Sequence, residues 1–124
     1  METTLYTRLS TYAGLTALVS TRIYPLIMPQ GVTYPAVTYQ RIATEPRESC
    51  MVEDVGWARA RMQVTAWADT FTSAKAIAAQ VRAALQRWST TGIQGTFIIA
   101  EYDLYDDEAF KYGAAIDAEV VYTE

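Results

Sequence analysis

The 124-residue chain has no histidine, and that absence removes much of the catalytic repertoire. Without imidazole there is no Ser-His or Cys-His nucleophile pair and no histidine-ligated zinc site. Cysteine is nearly missing too: Cys50 stands alone beside Met51 in a Glu-rich stretch, so no internal disulfide forms and no imidazole lowers its pKa. It reads as a passive loop side chain. No apolar run approaches the roughly 20 residues that span a bilayer. Met1 to Tyr12 mixes Glu2, Arg8 and several threonines, without the basic start and apolar centre of a secretory signal. The expectation is a soluble protein made in the cytoplasm, with no membrane partner. Basic residues are scarce as well: 10 Lys and Arg face 14 Asp and Glu, for a net charge of −4. The last quarter is the extreme case, with Glu101, Asp103, Asp106, Asp107, Glu108, Asp117, Glu119 and Glu124 opposed by Lys111 alone. Tight nucleic-acid binding generally needs a basic footprint over the phosphates, so a DNA-binding domain is not expected.

What is present points to one packed domain covering 1–124. Hydrophobic residues make up 51% of the chain, which excludes disorder. A chain of this length buries roughly two-thirds of its unfolded surface, enough for a core without staples. The stretch from Arg59 to Trp88 organises it. Ala60, Met62, Val64, Ala66 and Ala68 alternate with Arg59, Arg61, Gln63, Thr65 and Trp67, the period of two that puts neighbours on opposite sheet faces. Asp69, Thr70 and Thr72 then offer oxygens to the free N–H groups of a starting helix. Ala74, Ile77, Ala78, Val81, Ala84, Leu85 and Trp88 follow at three- and four-residue spacing, with Arg82 and Arg87 near the C-terminal end, where positive charge favours the macrodipole.

Around this unit the chain reads in order. Leu5, Leu9 and Tyr12 give one face of a first helix, with Arg8 and Ser10 outward and a break expected at Gly14. Arg22-Ile23-Tyr24-Pro25 is extended, because a residue before proline leaves the α region, and leads onto the sheet edge. A strand runs from about Ala36 to Thr44. Between Glu45 and Gly56 the composition turns polar, and the segment is expected to be a mobile loop. Such a loop is either a docking arm, with Arg47, Met51, Val52 and Val55 as interface candidates, or a hairpin tip without a partner. Gly92 suits the left-handed position after the long helix. Phe97, Ile98, Ile99, Tyr102 and Leu104 give a third strand whose short continuous apolar centre suggests an inner position or burial on both faces, and Tyr112 to Tyr122 alternates as a fourth. The fold class is therefore α+β: helix, strand, strand, helix, strand, strand, a mainly antiparallel four-stranded sheet covered by helices.

Few side-chain groups suggest chemistry. Asp103, Asp106, Asp107 and Glu108 lack the glycine and alternating ligands of a calcium loop, and solvated acids are common at a hairpin turn. Gly92-x-x-Gly95 lacks the Lys-Ser/Thr of a phosphate loop, and turn formation accounts for it. No cofactor or metal is implied and no enzyme is expected. Most of the nine tyrosines fall within sheet patterns, and a few are candidate interface anchors.

Several of these stretches, taken in order, resemble a known family. They are Leu5 and Leu9, Arg22-Ile23-Tyr24-Pro25, Tyr34-Pro35-Ala36-Val37-Thr38-Tyr39-Gln40, Arg61-Met62-Gln63-Val64-Thr65-Ala66-Trp67-Ala68 running into the alanine-rich helix, and the Asp103 region leading to the last strand. Together they are similar to the tail-completion, or tail terminator and head-to-tail joining, proteins of long-tailed bacteriophages and prophages. The resemblance implies a structural virion protein of the neck, a homohexameric ring at the head-proximal end of the tail. That ring would stop tail-tube polymerisation and join the tube to the head connector or adaptor protein, while DNA passes through without specific binding. In a ring that DNA must traverse, part of the acidic block is expected to face the lumen, with Asp117 and Glu119 as first candidates and Asp103 and Glu101 beside them. An ordinary solvated sheet face is the alternative reading of those acids. The rival for the whole chain is a non-enzymatic oligomerising interaction domain of a cellular protein, and a small enzyme using the carboxylate cluster is a further alternative.

Overall fold

The computed structural model describes the backbone of residues 2–27, 30–48, 54–107 and 110–123, and their side chains except at 45–48, 54–57 and 123. Three helices, α1 (Glu2–Thr11), α2 (Ala13–Val19) and α3 (Phe71–Leu85), accompany five strands: β1 (Ile23–Pro25), β2 (Ala36–Glu48), β3 (Asp54–Ala68), β4 (Ile93–Asp106) and β5 (Lys111–Thr123). The strands form one sheet in the order β1-β2-β3-β5-β4, parallel between β1 and β2 and antiparallel elsewhere. The α+β class is as the pattern predicts, with five strands in place of four. The extra one, Ile23–Pro25, pairs beside Val37–Tyr39 and is too short for a period of two to declare itself.

The period of two in β3 divides the sheet into two unlike faces. Ala60, Met62, Val64, Ala66 and Ala68 are buried, and their neighbours across β5, Ala114, Ile116, Ala118 and Val120, continue the same apolar layer. Onto it α3 lays Ala74, Ile77, Ala78, Val81, Ala84 and Leu85. The alanines on both sides bring helix and sheet backbones close. Leu5, Leu9, Leu15 and Val19 from α1 and α2 complete this core. Thr70 caps α3, its hydroxyl accepting from the Ser73 N–H at 3.2 Å.

Several local expectations are corrected. The first helix breaks at Tyr12, whose extended φ of −78° and ψ of 110° start α2, while Gly14 lies inside α2. A Cβ at Gly14 would sit 2.1 Å from Gln80 Oε1, so a larger residue there would have to displace the Gln80 amide. Arg8 does not face out: its Nε donates to the Ala84 carbonyl at 2.8 Å, satisfying one of the open acceptors at the end of α3. The residue after that helix in left-handed conformation is Arg87 (φ 57°), whose N–H donates to the Thr96 carbonyl at 2.9 Å. Gly92 (φ 87°) turns the chain between Thr90 and Ile93 instead. The third predicted strand is an edge, not an inner strand, and Phe97 on it is 52% exposed. A short apolar run fits burial in the core and a strand side left for contact equally well.

The segment expected as a loop from 45 to 56 is mostly hairpin. β2 continues to Glu48 and β3 begins at Asp54, with Glu45 opposite Arg59, Pro46 opposite Ala58 and Glu48 opposite Asp54. The polar composition, with Pro46 and Gly56 in it, hid the strand pairing. Arg47 and Val55 lie on these strands, whereas Met51 and Val52 fall outside the described residues.

Candidate interaction surface

The sheet face opposite the helices carries Arg59, Arg61, Gln63, Thr65 and Trp67 of β3 flanked by Glu119 and Asp117 of β5. Among the described residues no helix covers it. At its centre Asp117 is only 2% exposed, because its neighbours fold over it. Arg61 Nη2 donates to Oδ2 at 2.5 Å, Gln63 Nε2 donates to Oδ1 at 3.3 Å, and the Tyr102 hydroxyl donates to Oδ1 at 3.4 Å. Gln63 also donates to the Tyr102 oxygen. The carboxylate raises the Arg61 pKa by hydrogen bonding and charge. Burial, then Asp117, raises that of Tyr102, so the phenol keeps its proton and stays a donor. Next to this knot, Glu119 pairs with Arg59 at 3.1 Å.

Two depressions flank the knot. One of about 400 Å³ is lined by Ile42, Ala43, Arg59, Arg61, Ile99 and Glu119. The other, about 290 Å³, includes Leu26, Ile27, Tyr34, Trp67 and Leu104. Trp67 lies flat enough over β5 that a Cβ at Gly113 would be 2.8 Å from its ring, which is why glycine is found there. At the N-terminal end of α3, exposed Phe71 meets Tyr112 edge-on at 6.2 Å, and Tyr105 lies 5.0 Å from Tyr112. Aromatic and isoleucine side chains edged by paired charges are the composition of protein contact surfaces.

The four acids singled out in the sequence do not share a surface. Asp117 and Glu119 lie on the uncovered face, but Glu101 and Asp103 lie on the helix side, held to α3 by Arg82 at 2.6 Å and Lys75 at 2.8 Å. Asp103 also points away from Asp106, which lines the second depression on the other face. Among the described residues no three His, Cys, Asp or Glu side chains converge as a metal site would require, and Glu108 falls outside them. Arg61, Gln63, Tyr102, Ile42 and Ile99 were not singled out by sequence reasoning. The polar alternation of β3 was the available signal for the first two; the others depend on strand register and bulges.

Fold and surface define a small α+β subunit with one sheet face packed under helices and the other grooved and edged with aromatic side chains. The chain belongs to the tail completion family, since the family model described as Tail completion protein gp17 matches residues 3–123. It is thus a structural protein of phage-type virions. Its fold is similar to that of a chain in a solved structure described as the virion of a native gene transfer agent particle. The TM-score is 0.75 at 20% identity, covering 97% of this chain and 92% of that one. No curated protein sequence matches significantly.

Proposed function

We propose that this protein terminates the tail: copies assemble as a homohexameric ring on the head-proximal end of the tail tube, stop its growth and present a surface to the head connector or adaptor. The observation that carries the reading is the family match over residues 3–123. The uncovered sheet face and the exposed edge strand β4 supply surface for such contacts. The β2–β3 hairpin, with Arg47 and Val55 on its strands and Met51 and Val52 between them, is proposed to dock on a neighbouring subunit or the tube. DNA would traverse the ring without specific binding, because clustered lysines would exchange counterions with the duplex whereas carboxylates leave it hydrated. All three acids are ion-paired, but Glu101 and Asp103 reach solvent beside Arg82 and Lys75 whereas Asp117 is buried under Arg61, so the first two suit that lining better. Electron microscopy of particles made without the protein tests the reading: a missing terminator gives overlong tubes, and tails of normal length joined to heads would reject it.

A further inference from the structure

We infer that the β4–β5 end of one copy of this chain docks into the uncovered-face groove of the next copy, with Phe110 entering between Ile42 and Ile99 and Asp107 brought to Arg59 and Arg61. This rests on the ring reading and specifies which surfaces meet in it. The groove, about 400 Å³, has room for an aromatic side chain. Its two isoleucines stand at the register shifts Arg41/Ala43 and Ile98/Ala100, and each is 45% exposed. Bulges re-aim side chains, and here both aim apolar groups into the same depression.

The complementary end is Phe110, 73% exposed, with a backbone φ of 56° that a bulky residue rarely adopts. Strain of this kind persists where the surroundings hold it, often at contact sites. Charge matches in the same sense. Around the β4–β5 end, Asp69, Asp103, Asp106 and Asp107 outnumber Lys75 and Lys111. In the groove the Arg61 side chain is 49% exposed above the Asp117 side chain at 3%, so the guanidinium is the group offered outward.

A copy does not fill its own groove. Phe110 precedes Lys111 at the start of β5, while the groove is reached at Glu119, about 26 Å further along at ~3.3 Å per residue. The contact is therefore heterologous, repeating head to tail until it closes.

Sedimentation velocity on the full chain tests this. The wild type is expected to sediment as a ring, and Phe110→Asp and Ile99→Asp each as monomers with unchanged far-ultraviolet dichroism. An equal mixture of the two is expected to give dimers and nothing larger, since only one intact contact can form. Ile42→Asp serves as a second groove variant should Ile99→Asp not fold. A ring that survives both lesions, or monomeric variants that do not pair on mixing, overturns this contact and leaves the ring reading standing. A wild type that stays monomeric at all concentrations overturns this contact, while the ring reading, in which copies assemble on the tail tube, is decided by tail length.

Discussion

Arg8 ties three parts of the molecule together. Its guanidinium donates to the Ala84 carbonyl at the end of α3 and lies 5.0 Å from the Tyr12 ring and 5.7 Å from the Trp88 ring. A charge-assisted bond plus stacking predicts a loss of about 1–3 kcal/mol for Arg8→Ala, read from urea unfolding, with Arg8→Lys intermediate because it keeps charge at the helix end but not the planar fork. Thr96 is the opposite case. It is fully buried and its Oγ1 finds no partner among the described residues, so Thr96→Val should leave stability unchanged or raise it by about 1 kcal/mol in the same assay. The Asp117 knot makes a pH prediction. Tyr102 has its pKa raised above the ordinary tyrosine value of 10.0, so the folded state holds the proton more firmly than the unfolded one. The stability this contributes is complete below that value and is lost as pH rises through the raised folded pKa. Tyr102→Phe should therefore lessen the alkaline fall in melting temperature; a mutant with the wild-type alkaline slope would remove Tyr102 from the account. Tyr39, also raised, chiefly by burial, would supply the remaining slope.

Among the elements, α3 carries the core. Ile77 is 1% exposed against the sheet, and an unpaired carboxylate there costs several kcal/mol against a total stability of roughly 5–15. Ile77→Asp should unfold the domain, and a wild-type melting curve for that variant would contradict the packing described. The apolar face of α3 was legible in the sequence because its spacing is long and regular, and the β3 alternation was legible for the same reason. Neither β4's edge position nor the pairing of Arg61 with Asp117 was, since strand order and register are set by partners far along the chain. Its charge suggests that Arg8 faces outward, but it stands three residues after Leu5, on the flank of the Leu5–Leu9 face, from which a long side chain reaches the end of α3. The β2–β3 hairpin is proposed to dock in the assembly. Amide exchange between Arg47 and Val55 is predicted to slow when the subunit enters tails, and unchanged exchange would mean that this hairpin touches nothing there.

For the whole molecule, the two sheet faces have different tasks. One closes a core under three helices, and the other pairs Arg59 with Glu119 and Arg61 with Asp117 within the subunit. Burial of these pairs does not strand an ion. The family places the chain in virion tails, and termination of the tube is the central claim made for it. Its most direct test is the length distribution of tails, measured by electron microscopy, in particles produced with and without this protein. Tubes of defined length attached to heads are expected when it is present, and overlong, unattached tubes when it is absent. Tails of unaltered length, attached to heads in its absence, would contradict that claim.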